Sequence, residues 1–494
     1  MSNLKYKKTG SELIKTPVFI IALIITFITA GYFIAKGGIL TAILVFALPF
    51  VLLFLFEILK NPSIGIITLV VLSFIIPGLV RYITTEVGIG LSLDAIILLT
   101  YISVFLKGPQ YSERWKWIKS DLFILSLIWL LYNILELANP LAMSKVVWFY
   151  AIRPVSLYLI LVVPLIFMLG NTRKFMMLVL YTWAGFSILA TIKAAVQLHI
   201  GLDPWELKWL ADGAAETHML FGKLRVFSYF SDAGQFGAAQ AHIAVVGLIL
   251  ASVIKNPKGR LLFLIAGLGG IYGMMISGTR GAIAIPFIGA FTYVLLRKDI
   301  KMIIVVCVLT LGAYLFLNHT YIGNSNYTIY RMRTAFDKND ASFQVRLHNQ
   351  QLFKDYLKDK PFGGGVGSVG HWGSRFTPGT FLANLPSDSW YVQIWAEQGI
   401  IGLILYLIML LYILSKSFFI ILFKLKHKEL RIIMIALVAG LFGVFVTSYS
   451  NNTIGQIPTS ILSYFSIVFL FDSEKLEFEY FALDKKNTNE IKES

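Results

Sequence analysis

The chain has 494 residues, 57% of them hydrophobic and 14% charged. Because about a quarter of the residues in a soluble domain are charged, this composition excludes an ordinary water-soluble protein. The formal net charge of +16 does not indicate nucleic-acid binding, since the cytoplasmic loops of membrane proteins collect Lys and Arg as the chain inserts.

Apolar runs of roughly 20 residues, each long enough to cross a bilayer as a helix, follow one another along the chain. They predict an all-α polytopic membrane protein with about 14 transmembrane helices. The predicted spans are 17–35, 38–59, 63–80, 91–107, 121–138, 145–169, 175–198, 231–254, 260–277, 280–296, 301–317, 394–415, 430–449 and 455–471. Helices 1–11 therefore fall within 17–317 and helices 12–14 within 394–471, between a leader of residues 1–16 and a tail of residues 472–494.

Lys and Arg concentrate in alternate connections between the spans. The leader and the connection 424–431 are rich in them, whereas the connections 139–144 and 450–454 contain none. By the positive-inside rule, this bias predicts an even number of helices with both termini in the cytoplasm.

Two connections predicted to be external, 199–230 and 318–393, are long, and loops of that length usually have a function of their own. Within the second, apolar and polar residues alternate from Phe343 to Leu357 in a pattern typical of an amphipathic helix. We expect this helix to begin at Asp340 or Ser342 as N-cap and to lie on the membrane surface.

Two arginines are candidates because charge at membrane depth is costly. Arg280 lies in the sequence Ser277-Gly-Thr-Arg-Gly281, at a predicted external turn, where it either binds substrate or extends to lipid headgroups. Arg153 lies about ten residues into its span and needs a partner, either for structure or for function. Glu136 and Glu57 are the predicted partners.

Arg225 opens a polar segment that leads directly into the eighth predicted helix. Ser231 or Asp232 would cap that helix, whose N-terminus would face the external solution. Helix N-termini bind anions through free N–H groups and the helix dipole. The segment therefore predicts an anion site, unless Asp232 is merely a cap and Arg225 a headgroup contact.

The run Pro361-Phe-Gly-Gly-Gly-Val-Gly367 is dense in glycine. Backbone amides at Gly365 and Gly367 could approach a phosphate or sugar closely, although a flexible turn has the same composition. His, Cys, Asp and Glu do not occur at metal-ligand spacing, so we predict neither a metal nor a cofactor.

Asp388 lies where the second long loop becomes a helix. Its carboxylate is either the cap of that helix or a general base with a shifted pKa. The nearby aromatic residues Trp372, Trp390 and Tyr391 could stack on sugar rings or anchor the chain at the interface. Together, external arginines, a glycine-rich loop and one carboxylate suit a lipid-linked diphosphate as leaving group.

These residues resemble the motifs of the O-antigen ligase and O-antigen polymerase (Wzy-like) superfamily, over residues 225–402. The matching motifs are Ser277-Gly-Thr-Arg280-Gly281, Asp340-x-Ser342 with Arg346, Pro361-x-Gly363 with Gly365-x-Gly367, and Asp388-Ser389 followed by Gly399-Ile-Ile-Gly402. Asp388 stands where the ligases have histidine, which is more similar to the polymerases and related exopolysaccharide enzymes.

The resemblance implies a metal-independent, inverting glycosyltransferase that polymerises undecaprenyl-diphosphate-linked repeat units into O-antigen or exopolysaccharide at the outer face of the bacterial cytoplasmic membrane. It implies that Arg225 and Arg280 bind the diphosphate and that Asp388 activates the acceptor hydroxyl. The residues expected to bind substrate beside these three are Arg153, Arg346, Gly365, Gly367, Ser389 and Tyr391.

The expected partners are the lipid-linked glycan, membrane lipids and a chain-length regulator or other glycan-assembly proteins, with no nucleic acid. Two alternatives remain open. One is an O-antigen ligase that transfers glycan to a lipid or other acceptor. The other is a flippase for the same lipid-linked glycan, although the two halves of the chain do not match as they do in many transporters.

Overall fold

The computed structural model describes residues 45–83, 88–108, 119–170, 172–220, 222–337 and 339–493. The predicted leader and the first predicted span, 17–35, lie outside the described residues. Of the second predicted span, the described part is helical over residues 45–60 (α1).

The described residues are almost entirely helical, with one two-stranded hairpin. Nine of the described helices are long and apolar enough to cross a membrane, and three shorter apolar helices accompany them. These twelve coincide with the twelve predicted spans between residues 63 and 471, which confirms the all-α polytopic membrane fold.

The helices have well-defined bounds in both halves of the chain. In the first half of the chain they are α2 (Pro62–Leu79), α3 (Leu91–Leu106), α4 (Asp121–Leu135), α5 (Lys145–Leu169), α6 (Arg173–His199), α7 (Pro204–Trp209) and α8 (Ala215–His218). In the second half they are α9 (Ala233–Ala251), α10 (Pro257–Ile276), α11 (Ala284–Leu296), α12 (Ile300–His319), α13 (Tyr327–Arg333), α14 (Ala341–Leu357), α15 (Gly370–Phe376), α16 (Phe381–Asn384), α17 (Trp390–Phe419), α18 (Lys428–Thr447), α19 (Thr459–Phe471) and α20 (Ser473–Glu493).

Polar caps explain where many of the spans begin. Asn61, Thr172 and Asp232 each accept a backbone N–H of the first turn of their helix. Each cap satisfies one of the amides that a helix start leaves without a partner. An apolar run preceded by such a residue therefore starts its helix at a defined position.

Helix α9 lies in the core, and small residues allow it to pack closely against α10. A methyl group on Gly247 would lie 2.8 Å from the Phe263 carbonyl oxygen, and one on Gly270 would lie 2.6 Å from that of Gln240. Small residues of this kind let membrane helices approach at backbone distance. The close packing holds the first turn of α9 against the turn that follows α10.

The long segments 199–230 and 318–393 cover one end of the helices, which we call the loop face. The first contains α7, α8 and the hairpin of β1 (Met219–Leu220) and β2 (Lys223–Leu224). The second contains α13 to α16.

Helix α14 begins at its predicted cap, since Asp340 accepts the Phe343 N–H. Its place on the membrane surface stays a prediction, and the structure adds a contact in its C-terminal half. There Phe353 and Leu357 are buried against Val392 of α17 and its neighbours, so this part packs on protein.

The tail forms α20 at the opposite end of the helices. Leu476 and Tyr480 are buried, and Glu477 accepts the N–H groups of Lys426 and His427 just before α18, both at 2.6 Å. The tail therefore docks on the bundle through a helix.

Candidate active site

The turn between α10 and α11 forms hydrogen bonds with several other segments of the loop face. Gly278 has a φ of 62°, a left-handed conformation that glycine adopts without strain. Ser277 Oγ accepts the Thr279 N–H at 3.1 Å, and Thr279 Oγ1 donates to the Ala233 carbonyl at 2.7 Å. The turn is thereby tied to the first residue of α9.

Two arginines from different segments donate hydrogen bonds to this turn. Arg225 donates from Nε to the Ser277 carbonyl at 3.3 Å and from a terminal nitrogen to Thr279 Oγ1 at 3.1 Å. Arg331, on α13, donates from Nε to the Gly278 carbonyl at 3.3 Å. A methyl group on Gly278 would lie 3.7 Å from the Nε atom of each arginine.

The two guanidinium groups are held in an unfavourable environment for positive charge. Burial, followed by the charge of the neighbouring Arg331, lowers the pKa of Arg225 to about 10. Burial also lowers the pKa of Arg331, with the charge of Arg280 as the next cause. Within the described residues neither arginine forms an ion pair with a carboxylate. Two buried cations without a carboxylate in direct contact favour the binding of an anion.

Arg280 connects the same turn to the second long segment. It forms an ion pair with Asp340 at 2.5 Å and donates to Thr334 Oγ1 at 3.3 Å. Burial alone would raise the pKa of Asp340, but the hydrogen bond and charge of Arg280 hold it below its ordinary value. Asp340 therefore serves both as cap of α14 and as counterion of Arg280.

Asp388 stands directly before α17 in a left-handed conformation, with a φ of 48°. Such a conformation is strained for most residues but tolerated by Asp and Asn, and it is typical of functional sites. The cap of α17 is Ser389, whose Oγ accepts the Val392 N–H, so the reading of Asp388 as the helix cap is wrong. The Asp388 carboxylate instead meets Arg346 of α14 at 3.9 Å.

Asp388 and Arg346 line a cavity of about 300 Å³ at the loop face. The remaining wall comes from the start of α9, from two parts of the second long segment (the start of α15 and the residues before Asp388) and from the turn between α18 and α19. The lining residues are Asp232, Gly234, Gln235, Arg346, Gly370, Pro386, Ser387, Asp388, Asn451, Asn452, Thr453 and Gln456.

The cavity adjoins the arginine-bearing turn through Gly281. Thr447 Oγ1 donates to the Gly281 carbonyl at 3.3 Å, and a methyl group on Gly281 would lie 3.0 Å from Asn451 Nδ2. Asn451 lines the cavity. The structure thus brings Arg225, Arg280, Arg346 and Asp388, all predicted from sequence, into one region.

A buried cluster of polar side chains holds the segment that carries Arg225 in place. Ser228 has a φ of 53°, and its N–H donates to Gln197 Oε1 at 2.7 Å. Its carbonyl accepts from Arg81 at 3.0 Å and from Gln197 Nε2 at 3.2 Å. Arg81 also donates to the Phe230 and Ser231 carbonyls. These bonds hold a strained backbone between Arg225 and the cap Asp232.

Arg153 lies elsewhere, at a π-helical turn in α5. Its predicted partners, Glu136 and Glu57, are wrong. Arg153 pairs with Asp94 at 2.7 Å, and Tyr158 donates to the other oxygen of the same carboxylate at 2.9 Å. Arg153 does not line the cavity.

Gly365 and Gly367 pack against protein. Both have positive φ, and a methyl group on either would lie within 3 Å of Ala142 or Val147. The Gly365 N–H donates to the Glu397 carbonyl at 2.8 Å. The close backbone approach that the glycines predicted is therefore made to α5 and α17.

Ser389 and Tyr391 also lie outside the cavity wall. Ser389 is buried as the cap of α17, and the Tyr391 hydroxyl donates to the Phe445 carbonyl at 2.6 Å. Trp390 is buried beneath Gly455. Trp372 stacks on Tyr150 with ring centroids 5.0 Å apart.

The sequence interpretation missed Arg331, Asp340 and the amides at 451 and 452 as site residues. Arg331 was visible only as one of several arginines in a long loop, and Asp340 only as a cap and as part of the Asp340-x-Ser342 motif. Asn451 and Asn452 lie in a short connection without charged residues, so the search for charged candidates did not find them. Among the described residues, no group of three or more His, Cys, Asp or Glu could hold a metal ion.

Residues 261–407 match the family model described as O-antigen ligase. This segment runs from α10 to α17 and contains Arg280, Arg331, Arg346 and Asp388. The match confirms the resemblance to the O-antigen ligase and polymerase superfamily and supports a role in glycan assembly on lipid-linked substrates. No curated protein matches the chain.

Proposed function

We propose that this protein is a membrane glycosyltransferase that polymerises undecaprenyl-diphosphate-linked oligosaccharide repeat units at the external face of the bacterial cytoplasmic membrane. The observation that carries the proposal is the meeting of Arg225, Arg280 and Arg331 at one turn, beside a cavity that contains Asp388. In this proposal the loop face is external, and the product is O-antigen or exopolysaccharide.

The arginines suit the diphosphate leaving group. Arg280 has Asp340 as counterion, whereas Arg225 and Arg331 have only neutral acceptors within the described part of the chain. Guanidinium groups bind phosphate oxygens in a fork and remain charged, so they would neutralise the diphosphate as the bond to the sugar breaks. Neutralisation by arginines requires no metal ion.

Asp388 would act as general base on the acceptor. A hydroxyl of the acceptor sugar gives its proton to the carboxylate while its oxygen attacks the anomeric carbon of the donor sugar. The bond from that carbon to the diphosphate oxygen breaks, and undecaprenyl diphosphate leaves. A single displacement of this kind inverts the anomeric configuration. The half-exposed carboxylate, free of a capping role, supports this assignment.

The test uses the full-length protein in proteoliposomes with purified lipid-linked repeat unit. Arg280→Ala and Arg280→Lys should both shorten or abolish the polymer seen on a gel. Ala removes the positive charge, and Lys keeps the charge but loses the two-pronged hydrogen bonding of the guanidinium group. Arg375→Ala, at an exposed arginine on α15, is the matched control. Polymer of unchanged length and yield from Arg280→Ala would refute the role of Arg280.

A ligase is the second candidate, because the matching family model is described as O-antigen ligase. A polymerase builds a ladder of products from the lipid-linked repeat unit alone. A ligase instead moves one glycan onto an added acceptor and forms no ladder without it. The same proteoliposomes, with and without an acceptor lipid, separate the two activities.

A further inference from the structure

A large open groove lies between α6 and the tail helix α20, at the end of the helices opposite the loop face. Its volume is about 820 Å³, which is within the range of ligand sites. Its walls are the first turns of α6, the connection before α10, the start of α18 and one face of α20. Because the spans α6 and α10 both begin here, the groove lies at the depth of the lipid headgroups.

One side of the groove is apolar and continues onto the membrane-facing surface of α6. Leu178 lies one helical turn after Lys174, on the same face of α6, and is 47% exposed although it belongs to a span. Tyr181 and, on α20, Leu483 line the same groove. A residue exposed within a span contacts lipid, so an acyl chain beside Leu178 would have its headgroup in the groove.

Most charged side chains of the groove have partners of their own. Glu429 pairs with Arg173 and with Lys255, each at 3.4 Å. The Asp484 carboxylate lies 2.9 Å from Nε2 of His427. These contacts connect α6, α18 and α20, and they require no ligand.

Lys174 and Glu479 line the groove as well, and within the described residues neither of them forms an ion pair. Lys174 is exposed at the start of α6. The Glu479 carboxylate accepts only a neutral donor there, the Arg173 N–H at 2.7 Å. The groove therefore offers a ligand one cation, on α6, and one carboxylate, on α20.

A ligand that carries both charges fits this pair. A phospholipid with an ethanolamine headgroup has a phosphate a few bonds from a primary ammonium. The phosphate suits Lys174, and the ammonium can donate charge-assisted hydrogen bonds to Glu479. A glycerol headgroup would bring negative charge near Glu479 without a cation. A choline headgroup has no N–H to donate.

We propose that this groove binds a zwitterionic phospholipid of the phosphatidylethanolamine class, with its phosphate on Lys174, its ammonium on Glu479 and an acyl chain along Leu178. Because Lys174 belongs to α6 and Glu479 to α20, the bound lipid joins the tail helix to a membrane span. The groove and the arginine-bearing turn lie at opposite ends of the helices, so this inference is independent of the proposed function.

The test measures lipid binding to the delipidated full-length protein in detergent by native mass spectrometry. The probes are phosphatidylethanolamine, phosphatidylcholine and phosphatidylglycerol with identical acyl chains. The first should bind roughly tenfold more tightly than either of the others, the difference expected from one charge-assisted hydrogen bond. Equal affinity for phosphatidylcholine would assign the groove to acyl chains, and equal affinity for phosphatidylglycerol to anions. Either result, or no binding of phosphatidylethanolamine, would overturn the proposal.

Glu479→Gln separates the headgroup contact from the docking of the tail. The amide oxygen of Gln can still accept the Arg173 N–H, so the melting temperature should stay near the native value. Affinity for phosphatidylethanolamine should fall roughly tenfold, to the level of the other two lipids. Glu474→Gln, at an exposed carboxylate of α20 that does not line the groove, is the matched control. A Glu479→Gln protein that kept the native preference would refute the ammonium site.

Lys174→Gln tests the phosphate contact. Because Lys174 is exposed and forms no ion pair within the described residues, the variant should fold normally. It should weaken phosphatidylethanolamine and phosphatidylglycerol alike, roughly tenfold, since both present a phosphate. Lys258→Gln, at an exposed lysine outside the groove, should change neither affinity. Native affinity for phosphatidylethanolamine in Lys174→Gln would refute the proposed headgroup position.

Amide hydrogen exchange locates the bound lipid. Exchange over residues 473–484 of α20 should slow when phosphatidylethanolamine is added to the native protein, because the lipid joins this helix to α6. The same addition should have less effect on Glu479→Gln. Slower exchange that spared α20 would place the lipid at another site and overturn the proposal.

Discussion

Arg225 and Arg331 donate their Nε–H groups to consecutive carbonyls, those of Ser277 and Gly278, each at 3.3 Å. One arginine belongs to the segment before α9 and the other to α13, so residues about a hundred positions apart in sequence meet at one turn. This shared contact with the turn makes Arg331 a candidate site residue beside Arg225.

Replacement of Arg331 should therefore reduce polymer synthesis. Arg331→Lys keeps one positive charge but loses the fork and the bond to Gly278, and we expect a loss on the order of tenfold or more, with Arg331→Ala at least as severe. Polymer formed in proteoliposomes from purified lipid-linked repeat unit gives the measurement. Arg375→Lys serves as control. Native rates of polymer synthesis in both Arg331 variants would show that Arg331 only stabilises the turn.

The apolar helices and their caps were predictable because they depend on local sequence. A run of about 20 apolar residues specifies a span wherever it stands, and Asp340 and Asp232 cap helices that begin within three residues of them. Arg280 and Asp388 were found by the same kind of reasoning, since each lies where charge interrupts or borders an apolar run.

The contacts between distant segments were not predictable in this way. Arg153 has its carboxylate partner in α3, and nothing local in the sequence says which helix will be its neighbour. The pairing of Arg280 with Asp340 depends likewise on how the second long segment folds back on the helix ends. The glycine run revealed a close backbone approach, but whether a ligand or the chain itself makes that approach is decided by tertiary packing.

His218 predicts a pH dependence of the segment before α9. It is buried, its Nδ1 lies 2.9 Å from the Ala214 carbonyl, and its Nε2 accepts the Ala233 N–H at 3.2 Å. Burial lowers the pKa of His218 below 6.5. As the pH falls below that value, the unfolded segment binds a proton that the folded one does not. Stability present above pH 6.5 is therefore lost as the pH falls toward the folded pKa.

Amide hydrogen exchange over residues 225–235 measures this effect. Between about pH 7.5 and about pH 5.5, protection corrected for intrinsic exchange should decrease in the native protein. His218→Gln keeps an acceptor for the Ala233 N–H without a titrating group, so its protection should change less. An equal decrease in both proteins would assign the pH dependence to another group.

Gly399 interrupts the helical conformation of α17 at a point where no larger residue fits. Its φ is 68°, and a methyl group there would lie 1.9 Å from the Pro361 carbonyl oxygen. Gly399→Ala should cost more than about 3 kcal/mol in free energy of unfolding, because strain and overlap add. Gly379→Ala shares a positive φ of 82° but meets nothing within 4 Å, so it should cost about 1–2 kcal/mol. Equal thermal stability of the two variants would show that the glycine loop moves away from α17.

Asp388 gives the sharpest test of the chemistry, because Asn can replace it without disturbing the backbone. Asn tolerates the left-handed conformation as Asp does, and the cap of α17 is Ser389, so Asp388→Asn should fold and insert normally. It lacks a carboxylate to take the acceptor proton. We expect polymer synthesis to fall by roughly 10²–10⁴-fold, the usual contribution of a general base.

The affinity of Asp388→Asn for the lipid-linked substrate should stay near the native value, because the arginines around Ser277 and Gly278 are untouched. Single-turnover assays on the isolated substrate separate the chemical step from binding. Asp359→Asn, at a carboxylate that does not line the cavity, is the matched control. Long chains made by Asp388→Asn at the native rate would exclude the carboxylate as base and assign it instead to the placement of Arg346, 3.9 Å away.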